Sequence, residues 1–178
     1  MSNLRLIKQI ATESNISSVS LEDVFSSDYD IYKVTVAQTT YDVSNTDVIA
    51  LKIRFIDSGG SIVSASNYSS ANMMMKADAT KDEDKFTNST YSYSGAVIGN
   101  YENGGGSHWI YNPYNSDRFS FVTFEGIGGY DSSNNKMRSM KGIGVLEQQA
   151  SMTGVNFYSS APSNTFSAYV TVYGLRKD

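Results

Sequence analysis

An all-β fold is predicted for this chain, an antiparallel sandwich of about eight to ten strands, and three observations predict it. The first is alternation: several segments place apolar and polar residues at every second position, the period of a half-buried strand. The second is punctuation, because clusters of Gly, Asn, Asp, Ser and Pro interrupt those segments at intervals of about 8–12 residues, the spacing of a sandwich. The third is composition. The 178 residues include 13 Tyr and 8 Phe while only 18% are charged, so the chain is rich in residues that favour pleated surfaces and too poor in charge for disorder.

Along the chain, residues 3–10 alternate imperfectly, so 1–15 are expected as an N-terminal arm or first strand and 16–178 as one sandwich domain. Ile16, Val19, Leu21, Val24 and Phe25 form a second apolar segment, and the run from Ser26 to Asp30 is a turn. From Tyr29 to Val36, Tyr32, Val34 and Val36 face one way and Ile31, Lys33 and Thr35 the other. From Val48 to Ile56, Ile49, Leu51, Ile53 and Phe55 share a face, with Lys52 and Arg54 opposite. Asp57-Ser58-Gly59-Gly60 then reads as a hairpin turn, with Ser61 to Tyr68 returning antiparallel.

The charged stretch from Ala77 to Lys85 reads as a loop. A strand follows from Thr87 to Ser94, continued over Gly95 to Tyr101 and closed by a flexible turn from Asn103 to Gly106. His108 to Tyr111 is a short strand ended by Asn112-Pro113-Tyr114-Asn115. Arg118 to Glu125 alternates cleanly, with Phe119, Phe121 and Thr123 opposite Ser120, Val122 and Phe124. Gly126 to Asn135 reads as a loop, Met137 to Leu146 and Gly154 to Tyr158 as strands, and a turn at Pro162 precedes a last strand ending Val172-Tyr173-Gly174-Leu175. That ending closes the sandwich and is expected to leave no catalytic domain after it.

Function classes narrow by exclusion. With 0 Cys there are no disulfides, thiolate chemistry or the usual structural zinc sites. The segment from Met1 to Asn15 has no continuous apolar core and is not expected to act as a signal peptide. The sequence has no apolar run long enough to span a membrane as a helix. A net charge of −4 argues against nucleic acid as a partner.

Individual residues that could carry chemistry each stand beside a plainer structural reading. His108, the one histidine, adjoins Trp109, the one tryptophan. Together with Tyr111 and Tyr114 they are candidate ligand or interface aromatics, the plainer reading being a strand pair with Trp109 in the core or an interface. A lone histidine lacks a second imidazole for a metal, and no GxSxG elbow supports a triad. Asp28 and Asp30, and Asp78, Asp82, Glu83 and Asp84, invite calcium but lack EF-hand spacing, and Lys81 and Lys85 flank the second cluster. Glu102, Glu125 and Glu147 are candidates for a glycosidase carboxylate pair. Tyr91, Tyr93, Tyr101, Trp109, Tyr111 and Tyr114 concentrate mid-chain, as a sugar platform or as core and interface. Lys136, Arg138 and Lys141 form a small basic run, read as a solvated edge. No catalytic residue, metal or cofactor is assigned.

Taken in order, the segments LRLIKQI, DVFSSDYDIYKV, LKIRFIDSGGSIVSASNY, IYNPYNSDRFSFVTFE, KGIGVLEQQASMTGVNFY and the final VTVYGLRKD cover nearly the whole chain. They resemble small jelly-roll virion structural proteins of tailed phages, marine ones included. The order of segments carries the resemblance rather than any single motif. It implies a sandwich of jelly-roll type and a non-enzymatic role as a capsid decoration or cement subunit. It further implies a homotrimer that contacts other virion proteins such as the major capsid protein, located in the virion after assembly in the host cytoplasm. On that expectation Leu4, Leu6, Ile7 and Ile10 are candidate arm contacts. The alternative the resemblance implies is a tail-fibre or appendage module that binds host-surface glycans, with no nucleic-acid or membrane partner in either case.

Overall fold

The computed structural model describes residues 3–12, 16–42, 49–77, 80–98, 104–131, 136–159 and 165–176. Among them are twelve strands and no helix: β1 Leu4–Ala11, β2 Ser18–Leu21, β3 Ile31–Asp42, β4 Ile49–Asp57, β5 Tyr68–Lys76, β6 Lys81–Ser89, β7 Ser92–Ile98, β8 Gly105–Tyr111, β9 Ser120–Asp131, β10 Lys136–Leu146, β11 Met152–Ser159 and β12 Thr165–Leu175. They form an eight-stranded sheet in the order β1-β12-β3-β8-β9-β10-β5-β6 and a four-stranded sheet in the order β2-β11-β4-β7, every pairing antiparallel. Only β5–β6, β8–β9 and β9–β10 are successive strands within one sheet; every other connection crosses between sheets, as in a jelly roll.

Alternation decides which side chains face the gap between the sheets. Leu51, Ile53 and Phe55 of β4, with Val155 and Phe157 of β11, pack against Tyr32, Val34 and Val36 of β3, Ile110 of β8, Val122 of β9 and Val170 and Val172 of β12. Each such side chain contributes about 1.5–3 kcal/mol relative to leaving it in water. The alternation read for β3, β4 and β9 is the one observed, with two additions: Lys52 and Ile56, on the far side of β4, are also buried. The segment from Leu4 to Ala11 is hydrogen-bonded along β12, Leu4 opposite Leu175 and Ala11 opposite Tyr169. Ile7 and Ile10 pack against the core, whereas Leu6 points to solvent.

Several expectations are corrected. The Asp57–Gly60 turn forms, with the Asp57 carboxylate accepting from the amides of Gly59 and Ser61, both at 2.9 Å, and Gly60 at φ +80°. The return strand does not follow. Only Ile62 bridges back to Ile56, and the Val63 amide donates to the Phe55 carbonyl at 2.9 Å. β7 already occupies that edge of β4 from Ile49 to Ile53 and β11 holds the other edge, so the chain crosses and Tyr68 opens β5 in the larger sheet. Tyr68 ties the crossing down: its hydroxyl accepts from the Phe55 amide at 2.9 Å and donates to the Val63 carbonyl at 3.1 Å, and its ring stacks on Phe55.

The charged stretch expected as a loop is mostly strand, since β6 begins at Lys81 and pairs with β5 as the outermost strand of the larger sheet. Charges on an edge strand discourage pairing with another chain, so the pattern reads as polar although the backbone is extended. The strand expected from Thr87 to Ser94 is two strands in different sheets: β6 ends at Ser89, next to Asn88 at φ +55°, and β7 begins at Ser92. The glycines at 105, 106 and 126 lie inside β8 and β9 rather than in turns. At Gly126 the reason is crowding, because an added Cβ would lie 2.0 Å from the Gly95 carbonyl oxygen of β7. These strands bring the total to twelve, above the expected number. Met1, Ser2, Val48, Asp78, Tyr101, Glu102, Asn103 and Pro162 lie outside the described residues.

Two variants test this packing. Gly144→Val places a Cβ 2.0 Å from the Ser92 hydroxyl and is expected to lower stability by about 2 kcal/mol or more in urea unfolding. Tyr68→Phe strands the Phe55 amide and the Val63 carbonyl and is expected to cost about 1–3 kcal/mol while the fold is kept; an unchanged urea midpoint would show that the phenol bonds are not what holds the crossing.

Candidate binding site

β8 lies inside the larger sheet between β3 and β9, and its alternation sends neighbouring residues to opposite faces. His108 and Ile110 point into the core and are fully buried, whereas Ser107, Trp109 and Tyr111 leave the outer face. The expected pairing of His108 with Trp109 in one site therefore does not occur.

His108 instead joins the two sheets. Its Nε2 lies 2.6 Å from the carbonyl oxygen of Ser94 in β7, and its Nδ1 lies 3.1 Å from that of Val34 in β3. The imidazole also packs against Phe157 at 5.0 Å between ring centres. The shorter contact assigns the proton of the neutral ring to Nε2, which donates to Ser94. Burial lowers the pKa of His108 to about 4, outweighing the two carbonyl contacts that raise it.

Register then places outer-face side chains in rows across the strands. Lys33, Trp109, Thr123, Ile143, Ala71 and Lys85 stand opposite one another on successive strands from β3 to β6. Ser107, Glu125, Lys141, Met73 and Glu83 form the adjacent row. Between them lies an open groove of about 970 Å³ over β8, β9, β10, β5 and β6. Trp109 forms its wall on β8, with the Lys33 ammonium over the indole 5.5 Å from the ring centre. Small side chains at Ser107, Thr123 and Ala71 keep the floor low. Glu125 and Lys141 are exposed register partners, yet neither forms an ion pair among the described residues.

The other candidates disperse. Tyr111 stands beside Phe121 on the outer face. Tyr114 lies in the following loop, where its carbonyl accepts from the Ser151 hydroxyl at 2.9 Å. Tyr91 and Tyr93 belong to a different cluster, flanking the Lys52 ammonium at 4.4 and 4.0 Å, while Arg54 stacks on Tyr158 at 4.3 Å. Burial lowers the pKa of Lys52 to about 8 against the opposing pull of Asp84. The acidic cluster is spent on local partners: Asp82 pairs with Lys76, Glu83 with Lys81 at 3.7 Å, and Asp84 accepts from the Tyr93 hydroxyl at 2.5 Å. Among the described residues no three His, Asp or Glu side chains group to hold a metal. Glu147 accepts from the Ser69 hydroxyl at 2.5 Å. Lys141 of the basic run lines the groove. Thr123, Ile143 and Met73 had no motif to mark them; strand register alone brings them to Trp109.

No protein-family model matches the chain, and no curated protein matches it. Among solved structures it is similar to the marine PL-14 alginate lyase from Aplysia kurodai, at 10% identity over 86% of this chain and 72% of that one, with a TM-score of 0.39. The alginate lyase A1-II′, of polysaccharide lyase family 7, is 10% identical over 84% of this chain and 64% of its own, with a TM-score of 0.28. The alginate lyase Aly36B is 9% identical over 90% and 81%, with a TM-score of 0.34. Likenesses this distant carry no argument about activity.

The buried imidazole predicts a pH dependence. Because the folded state holds His108 neutral down to about pH 4 while the unfolded chain takes up its proton near pH 6.5, stability is full above pH 6.5. It falls as the pH drops towards 4, by roughly 3 kcal/mol. Urea unfolding of the wild type and His108→Gln across that interval isolates the effect from carboxylate titration. The difference between the two should shrink towards acid; a growing difference would mean that the imidazolium is shared between both carbonyls.

Proposed function

We propose that this chain is a non-catalytic virion structural protein of a tailed phage, a homotrimeric decoration or cement subunit that docks on the major capsid protein. The virion setting rests on the ordered segment resemblance. The docking surface rests on one structural observation: Leu6, Tyr169, Phe121, Ile127, Ile143 and Met75, all large apolar side chains left exposed, leave the outer face of the eight-stranded sheet. Apolar groups gathered on one face of a sheet mark a contact surface, whereas scattered ones need no partner.

Docking is assigned to the margin of that face on β1 and β12. Leu6 lies opposite Tyr173 there, and Tyr169 follows along β12 on the same side. Ile7 and Ile10 anchor β1 from beneath, so the margin is rigid and its exposed side chains are held in place for a neighbour. The role is mechanical: each subunit buries a modest apolar area, and a trimer multiplies weak single contacts.

Two measurements test this reading. An antibody against the chain should label the heads of intact particles densely; label confined to tails, or none, overturns the cement role. Leu6→Ser with Tyr169→Ser leaves the buried anchors untouched and is expected to weaken binding to particles lacking the protein by at least ~10-fold, about the loss of two partly buried apolar contacts. Undiminished binding would move the contact elsewhere.

A further inference from the structure

We propose that the groove across β8, β9, β10, β5 and β6 binds a neutral linear oligosaccharide lying across the strands, stacked on Trp109 and hydrogen-bonded by Glu125 and Lys141. The groove lies apart from the β1–β12 margin to which docking is assigned; of the exposed apolar set named there, Ile143 alone lines it.

Three features point to this ligand class. Shape is the first. The groove crosses four strand spacings from β8 to β6, roughly 19 Å, and runs open along the sheet face, which suits an extended chain more than a compact metabolite. The second is the pairing of an apolar wall with free polar groups. A pyranose ring presents a C–H face that packs on an indole and an equatorial rim of hydroxyls that both donate and accept. Trp109 supplies the surface for the first. Glu125, an acceptor, and Lys141, a donor, are adjacent and unpaired with each other, and serve the second. Thr123 and Ser107 add hydroxyls at the floor.

Charge is the third feature. Glu83, Asp84 and Glu125 stand against Lys85 and Lys141 within the groove and the Lys33 ammonium over its Trp109 wall, so neither a polyanion nor a polycation gains from the local field. An extended peptide is disfavoured as well. Strand addition requires free backbone groups at a sheet edge; from β8 to β5 every strand of the groove is paired on both sides, and its edge strand β6 carries charges that oppose pairing.

Trp109 is the only tryptophan of the chain, so its emission, excited to the red of tyrosine absorption, reports on this groove alone. The full chain is titrated with neutral gluco- and manno-oligosaccharides, with an oligogalacturonate, and with acidic and basic peptides. A saturable shift in emission with a neutral oligosaccharide is expected. Glu125→Gln with Lys141→Met, which leaves the reporter in place, should weaken it at least ~10-fold, the loss of a charged hydrogen bond. Leu6→Ser with Tyr169→Ser should leave it unchanged, which separates this inference from the docking one. No response to any neutral oligosaccharide at millimolar concentration overturns the proposal. So does a response confined to the uronate or a peptide, or one indifferent to the groove variant.

Discussion

The register of β8 is the constraint on which the rest depends. This strand lies between β3 and β9 inside the eight-stranded sheet, so its hydrogen-bond partners on both sides fix which residues face in. A slip of one residue would carry the Trp109 indole into the core and the His108 imidazole into the groove. His108 resists that slip from within, since its Nε2–H donates to the Ser94 carbonyl in the other sheet and its ring packs against Phe157. One buried side chain thus sets the register, ties the layers together and, through strand alternation, aims its neighbour outward.

The unequal size of the two sheets governs the surface. Four strands cannot cover both the breadth and the ends of eight, and the outer face of the larger sheet has nothing packed upon it among the described residues. Where the layers meet closely, at Gly126 against the Gly95 carbonyl and at Gly144 against Ser92, the side chain is dispensed with altogether. Where β4 turns polar, Lys52 is accommodated between two tyrosine rings instead of being exposed, a cation–π arrangement that offsets part of its desolvation. The outer face keeps both apolar groups and unpaired charges, so it is the part of the molecule with recognition chemistry left over.

Much of the fold was legible along the chain because a half-buried strand announces itself locally. Tyr32, Val34 and Val36, or Leu51, Ile53 and Phe55, alternate with polar residues and bury as alternation requires. Legibility failed where local pattern and tertiary role diverge. Charged β6 looks like a loop because its edge position tolerates charge on both faces. Glycines of β8 and β9 look like turns because close approach and tight turning ask for the same residue. The Asp57–Gly60 turn was correctly read, but which strand pairs with β4 is settled by β7 and β11, distant in sequence.

The site divides along the same line. Alternation and turn chemistry are properties of consecutive residues, so the sequence by itself determined an all-β chain, most of its strands and the two faces of β3, β4 and β9. Pairing is a property of residues far apart, and only the tertiary structure decided that Trp109 would meet Ile143 and Ala71 across the sheet rather than its neighbour His108. The physical reason is that successive side chains in a strand point to opposite faces, while side chains brought together on one face belong to different strands.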